Sequence, residues 1–339
     1  MKNQIVKIIL VLNLLFTVVC AQSVQQFAEI GDLKLLSGNT IEKCKLGYRT
    51  FGKLNEDSSN VIIYPTWFGG TSEGIATLIQ KYSFVDSSKY FIIAIDALGN
   101  GISSSPSNYE YEDSVFNNLT ISDMVNSQYC LLTKIFGLKH LFAAIGGSMG
   151  SMQVLEWAVK YPDFIDKIVA YVATPKMSSC DLLWMNTQLN MIESSRRNGM
   201  SDREIKKISD MMTAIIARTP DYIIENNKLE DFPSYLTAFD KEPSKIFTLD
   251  NYLAQIKAMM KHDISHNYND SMEKAANSIK AKLFIIVSET DMMVNPTEAL
   301  NLAELTRAKR LVLQNNCGHL AVSCEIERCR EEIENFLNQ

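Results

Sequence analysis

Leu141-Phe142-Ala143-Ala144-Ile145-Gly146-Gly147-Ser148-Met149-Gly150 is the stretch on which the reading of this chain turns. An apolar run of strand type ends in Gly-x-Ser-x-Gly, and a helical pattern, Met149–Lys160, follows at once. This layout predicts a sharp strand-to-helix turn that holds a serine hydroxyl clear of a sheet. Small residues are needed because the turn is strained and its backbone passes close to its neighbours. Ser148 is therefore a candidate nucleophile. The turn also says where its partners belong: an acid after a later strand and a histidine after the last one.

Both partners are present. The apolar run Leu283–Val287 leads into Ser288-Glu289-Thr290-Asp291, with Pro296 beyond, which places Asp291 in a loop at the carboxyl end of a strand. Glu289 is the rival acid. The run Arg310–Leu313 leads into Asn315-Asn316-Cys317-Gly318-His319, so His319 opens the final helical segment at the same sheet edge. A serine hydroxyl is a weak nucleophile until a neighbouring base takes its proton. His319 is suited to that task, and Asp291 to orienting and stabilising the imidazolium. Ser148, Asp291, His319 is the chain order of α/β-hydrolase triads. Such chemistry needs two backbone N–H groups aimed at one developing oxyanion. Met149, directly after the nucleophile, should supply one. The other is expected from Thr66 or Trp67 in Pro65-Thr66-Trp67-Phe68-Gly69-Gly70.

The rest of the chain fits that frame. Two antiparallel strands are expected first, around Phe27–Leu36 and Thr40–Phe51. Asn60–Trp67, Tyr90–Ala97, His140–Ile145, Lys167–Ala173 and Ala281–Val287 are continuous apolar runs of strand length. Such runs suit strands buried on both faces of a mostly parallel sheet. Ser122–Phe136 and Met149–Lys160 read as helices between them; Thr120-x-x-Asp123 has the form of an N-terminal cap, and Pro162 stops the second helix. Alternating strands and helices imply a doubly wound α/β sheet. From about Lys176 to Ser278 the rhythm gives way to helices: Leu182–Gly199, Asp202–Ala217, Pro220–Asn226 and Thr248–His262. This stretch holds nine of the 15 methionines, pliable side chains that suit an adaptable apolar surface as well as ordinary packing. The expected fold is thus an α/β-hydrolase core in two parts, residues 22–175 and 279–339, with a helical lid inserted at 176–278.

Residues 1–21 read differently. Lys2 and Lys7 give a basic start, Ile8–Val19 is almost wholly apolar, and Val19-Cys20-Ala21 ends in small residues. This is the pattern of a secretory signal peptide cleaved after Ala21, so an exported protein, periplasmic or secreted, is expected. The remaining 318 residues fit one large domain or one domain with an insertion. Of the 339 residues, 33 are basic and 39 acidic, a net charge of −6, which offers nothing to a nucleic acid. No later run is long enough to span a membrane. Export permits disulfides, and one pair among Cys317, Cys324 and Cys329 is a candidate bridge. His262 and His266 have helical i, i+4 spacing, but no third ligand and no glutamate of a zinc-protease motif accompany them, so no metal and no cofactor are expected. Asn118-Leu119-Thr120 and Asn269-Asp270-Ser271 have the form of glycosylation acceptors. The expected partner is a small-molecule acyl ester or thioester, and a homodimer is left open.

The chain resembles the homoserine O-acetyltransferase family of α/β-hydrolases. The resemblance is carried by Leu119-Thr120-Ile121-Ser122-Asp123-Met124-Val125, by Gly146-Gly147-Ser148-Met149-Gly150-Ser151-Met152-Gln153, and by Leu155-Glu156-Trp157-Ala158 through Tyr161-Pro162-Asp163. Looser echoes lie at Gly99-Asn100-Gly101 through Ser105-Pro106-Ser107 and at Asn251-Tyr252-Leu253 through Asp263. It implies a ping-pong reaction in which Ser148 is acylated and the acyl group passes to an acceptor, with acyl-CoA as a candidate co-substrate. Family members carry an aspartate directly after the catalytic histidine, where it binds the homoserine amine; here that place is Leu320. They also use a lid arginine for the substrate carboxylate, yet none of Arg196, Arg197, Arg203 and Arg218 sits in a matching motif. The expectation is a serine-nucleophile acyltransferase whose acceptor is not homoserine. The alternatives are an exported esterase using water and a non-catalytic binding protein on the same fold.

Overall fold

A computed structural model describes residues 23–242 and 244–339; the expected signal peptide lies outside them. The chain opens with β1 (Gln26–Glu29), β2 (Leu33–Lys34), β3 (Thr40–Ile41) and β4 (Lys45–Phe51). The two long strands expected here are four short ones. β1 pairs with β4, while β2 and β3 pair only with each other. The chain must turn between these pairings, and it does so at Gly31 and Lys43, both with positive φ (82° and 45°).

The alternating region follows as β5 (Val61–Pro65), α1 (Ser72–Tyr82), β6 (Phe91–Ile95), α2 (Ile121–Cys130), β7 (Leu141–Gly147), α3 (Met149–Lys160) and β8 (Ile165–Tyr171). Thr120 and Asp123 form a reciprocal capping box at α2. The helix expected to reach Phe136 changes pitch instead: Leu131–Ile135 is a wide π-helical turn, closed by the Phe136 N–H on the Leu131 carbonyl (3.2 Å). The lid region contributes α4 (Ser179–Arg197), α5 (Asp202–Ala217), α6 (Pro220–Asn226), α7 (Phe232–Thr237) and α8 (Leu249–Met260). The chain then returns through α9 (Met272–Ser278), β9 (Lys282–Ser288), α10 (Thr297–Thr306), β10 (Lys309–Leu313), α11 (Ala321–Cys324) and α12 (Ile326–Leu337).

Eight strands form one sheet in the order β1-β4-β6-β5-β7-β8-β9-β10. From β6 to β10 every pairing is parallel; β1 and β4 are antiparallel additions at one edge. Helices cover both faces, which explains the unbroken apolar runs. Val61 and Ile63 face a core shared with Trp157 of α3 and Leu302 of α10, while Ile62 and Tyr64 face one shared with Ile75 of α1 and Ile333 of α12. Because β5 lies between β6 and β7, the chain reverses its direction of travel across the sheet there. A crevice opens at such a switch point, outside the carboxyl ends of the strands. The loop after β5 and the turn after β7 therefore meet.

The lid leaves and rejoins the core at one place. The Met177 N–H donates to the His262 carbonyl (3.3 Å), the Ile264 N–H to the Pro175 carbonyl (3.0 Å), and Lys176 pairs with Asp263 (3.1 Å). His262 lies buried at this root with Nε2 3.2 Å from the Thr174 carbonyl, whereas His266 stands exposed beside Asp270. Among the lid methionines, Met177, Met185 and Met259 are core residues and Met200 is exposed. Burial pushes the His262 pKa down to about 4 from an ordinary 6.5. A histidine that folds neutral binds fewer protons than in the unfolded chain, so its stabilisation is whole above pH 6.5 and is lost as pH falls toward 4. The expected loss is about 3 kcal/mol, at 1.36 kcal/mol per pKa unit. Urea denaturation at pH 7 and pH 4.5 measures it; His262→Gln should show a smaller difference between the two pH values, and an equal difference would contradict this assignment.

Candidate active site

The turn after β7 has the strain anticipated for it. Ser148 adopts φ 53° and ψ −125°, a positive φ that costs a non-glycine residue of order 1–3 kcal/mol. Two close approaches show why glycine flanks it. A Cβ on Gly146 would lie 2.2 Å from the Gly150 carbonyl oxygen, and one on Gly150 would lie 2.7 Å from the Pro65 carbonyl oxygen. The backbone is pinned by the Ser148 N–H, which donates to the Tyr171 carbonyl of β8 (3.0 Å).

Ser148, His319 and Asp291 are brought together although 171 residues separate the first two. His319 Nε2 lies 2.9 Å from Ser148 Oγ, and Nδ1 lies 2.7 Å from Asp291 Oδ2. Both His319 and Asp291 are buried, at 8% and 4% exposure. The second carboxylate oxygen of Asp291 accepts the Met293 and Val294 N–H groups (2.9 Å each), so the side chain is held at both ends. Glu289, the rival acid, is exposed, and its N–H serves β10 through the Leu313 carbonyl. The lid steadies the same loop: Trp184 of α4 donates to the Met293 carbonyl (2.8 Å), and the Asn295 N–H donates to buried Asp181 (2.9 Å). Burial raises the Asp181 carboxyl above its ordinary pKa.

The two donors expected in the loop after β5 differ in their backbone bonding. The Thr66 N–H is spent on the Ile95 carbonyl of β6 (3.0 Å). Among the described residues no acceptor engages the Trp67 or Met149 N–H. Met149 begins α3, where the first N–H groups have no intrahelical partner. The Thr66–Trp67 peptide is oriented by a side chain that sequence reasoning missed. Buried Gln153 donates to the Thr66 carbonyl (2.9 Å) and the Met149 carbonyl (3.1 Å). In a trans peptide the C=O and the following N–H point in opposite directions, so holding the Thr66 carbonyl sets the direction of the Trp67 N–H. Gln153 is itself held by Gln128 (2.6 Å), which accepts from Trp157 Nε1 (2.7 Å). A glutamine inside an amphipathic helix carries no sequence mark of such a role; only its place one turn after Ser148 hints at it.

A cavity of about 620 Å³ opens on Ser148 and His319. Trp67, Leu78, Trp184, Met259 and Leu320 give it an apolar wall, and the lid helices α4, α5 and α8 roof it. Among the described residues no Lys, Arg, Asp or Glu lines it. Of the lid arginines, Arg197 is exposed and the other three have partners. Arg196 pairs with Asp202 and Asp250, and Arg203 with Asp240 and Glu242, while Arg218 stacks over Tyr222. Leu320 lies at the cavity wall, where it offers no charge to an amine. One disulfide, Cys317–Cys324, encloses His319; Cys329, the third cysteine of the cluster, is a buried thiol.

The chain belongs to the α/β-hydrolase family: the model of the alpha/beta hydrolase fold matches residues 60–323. It is 33% identical to a probable esterase of Corynebacterium glutamicum across 89% of this chain and 91% of the relative. It is 29% identical to an ethyl acetate hydrolase of Pseudomonas veronii, across 88% and 89%. A homoserine O-acetyltransferase of Methanosalsum zhilinae is 27% identical across 91% and 71%. Among solved structures, an acetylester hydrolase from Corynebacterium glutamicum superposes with a TM-score of 0.82 at 29% identity, covering 93% of this chain and 95% of that one.

The tight packing of the turn generates a stability prediction. Gly146→Ala forces a methyl group against the Gly150 carbonyl and should cost about 3 kcal/mol, at the upper end for overpacking. Chemical denaturation measures this, and an unchanged midpoint would mean that the turn relaxes freely.

Proposed function

We propose that this protein is an esterase that cleaves small neutral acyl esters through an acyl-serine and passes the acyl group to water. The observation that carries the reading is the hydrogen-bonded chain Ser148–His319–Asp291 at the floor of a cavity without charged walls. His319 Nε2 takes the proton of Ser148 Oγ as the oxygen attacks the ester carbonyl, then returns it to the departing alkoxide. Asp291 holds the Nδ1 proton and stabilises the imidazolium in both halves of the cycle. The Trp67 and Met149 N–H groups receive the oxyanion. Water, deprotonated by the same histidine, then releases the acid and restores Ser148.

The choice between water and another acceptor rests on the cavity. A homoserine acceptor brings an ammonium and a carboxylate, and burying either without a partner is costly. Leu320 supplies neither partner, and among the described residues no arginine lines the cavity. The 33% identity to a probable esterase supports the same side, while the homoserine O-acetyltransferase relatives favour transfer as the second reading. The apolar start of the chain supports export. A disulfide fits an oxidising compartment. Among the described residues no helix is long and apolar enough to cross a membrane.

Ser148→Ala should abolish both fluorophosphonate labelling and hydrolysis of ethyl acetate or p-nitrophenyl acetate. Undiminished turnover in a folded variant refutes the reading. Acetyl-CoA consumption should be slow and indifferent to added homoserine; strong dependence on homoserine would instead establish the transferase. Gln153→Ala should lower kcat about 10–100-fold with KM within about twofold, because a misaligned oxyanion donor weakens the transition state more than the ground state. An equal rise in KM would show that Gln153 shapes substrate binding instead.

A further inference from the structure

His319 sits on a segment with little regular structure of its own. After β10 the chain makes a single 3₁₀ turn, Gly318–Leu320, then the four-residue α11. Helical turns this short do not hold themselves in water. The segment also lines the cavity with His319, Leu320, Val322 and Ser323. Its position is set by contacts from the lid and by contacts within the segment. The junction of α5 and α6 presses on it: Thr219 Oγ1 donates to the Asn316 carbonyl, and a Cβ on Gly318 would lie 3.0 Å from the Ala217 carbonyl oxygen. Asn315 Nδ2 reaches forward to the Ala321 carbonyl (3.2 Å) and Glu325 (2.6 Å). The one covalent constraint is the Cys317–Cys324 bond, which closes a ring around the histidine.

We propose that the Cys317–Cys324 disulfide is a positioning element for His319, setting the imidazole within reach of Ser148 and Asp291 and making turnover sensitive to reduction. This rests on the acyl-transfer reading of the site. Cys324 is exposed and Cys317 buried, so a dithiol reductant attacks the Cys324 sulfur. The S–S bond breaks, Cys317 leaves as a thiolate and takes a proton, and the second thiol of the reductant closes its own disulfide and frees Cys324. Two electrons and two protons pass to the protein. Burial pushes the Cys44 and Cys329 thiols up to about 12, which disfavours their exchange into the bond.

The test is a double-mutant cycle on p-nitrophenyl acetate turnover. Cys317→Ala/Cys324→Ala should lower kcat about 10–100-fold with KM within about twofold, the scale expected when a catalytic group moves by roughly 1 Å. In a His319→Ala background the same two substitutions should change the residual rate less than about twofold, since the group they act through is gone. A general structural staple would instead lower both backgrounds alike, and that result overturns the proposal. So does a double variant with kcat within twofold of the parent, or mass spectrometry of the unreduced enzyme showing free thiols at both positions. If the double variant does not fold, folded parent and His319→Ala proteins treated with dithiothreitol supply the same comparison. His319→Ala activity equal to that of the parent would instead sink the acyl-transfer reading itself.

Discussion

The architecture of the site depends on one backbone constraint, the positive φ at Ser148. A residue held there turns the chain from β7 into α3 within one position, so the hydroxyl stands above the sheet edge and the next N–H begins a helix with no internal partner. The turn is tolerable only because β8 takes the Ser148 N–H and because residues 146 and 150 lack side chains. The strain is local, and the sheet on either side restrains it.

Around that point the molecule spends buried polar groups to fix directions. Asp291 is bound through both oxygens, one to His319 and one to two backbone N–H groups. The Thr66 peptide is bound through its N–H, its hydroxyl and its carbonyl. Gln153, Gln128 and Trp157 form a line of side-chain hydrogen bonds from α2 and α3 to that peptide. A buried network of this kind is worth having only when its members are satisfied, and these are. By contrast the cavity above is apolar and uncharged, so selectivity among substrates falls to shape and to the exclusion of charged groups.

Much of this was legible in the sequence because burial on both faces leaves no alternation: β5, β6, β8 and β9 announced themselves as unbroken apolar runs. Ser148, Asp291 and His319 were legible because each follows a strand and their order is restrictive. α1 was not anticipated, its buried stripe being only Ile75, Ala76 and Ile79. The split of the N-terminal strands was missed because pairing partners are a three-dimensional choice, and the π turn after Cys130 because its residues suit a regular helix equally well. The choice of Trp67 over Thr66 required knowing which N–H the neighbouring strand consumes. Which cysteines would bond needed the turn at Gly318, and Gln153 needed the path of the β5 loop.

The lid also bears on how activity arises in time. Its helices occupy the interval between β8 and β9, so Ser148 and its partners Asp291 and His319 come from opposite sides of a long excursion. Contacts so remote in sequence are slow to form, since chain entropy must be surrendered before they reward it. On the proposed esterase reading, secondary structure should return in refolding well ahead of ester cleavage. Turnover on that reading becomes a late clock that starts only when the two ends of the sheet have docked.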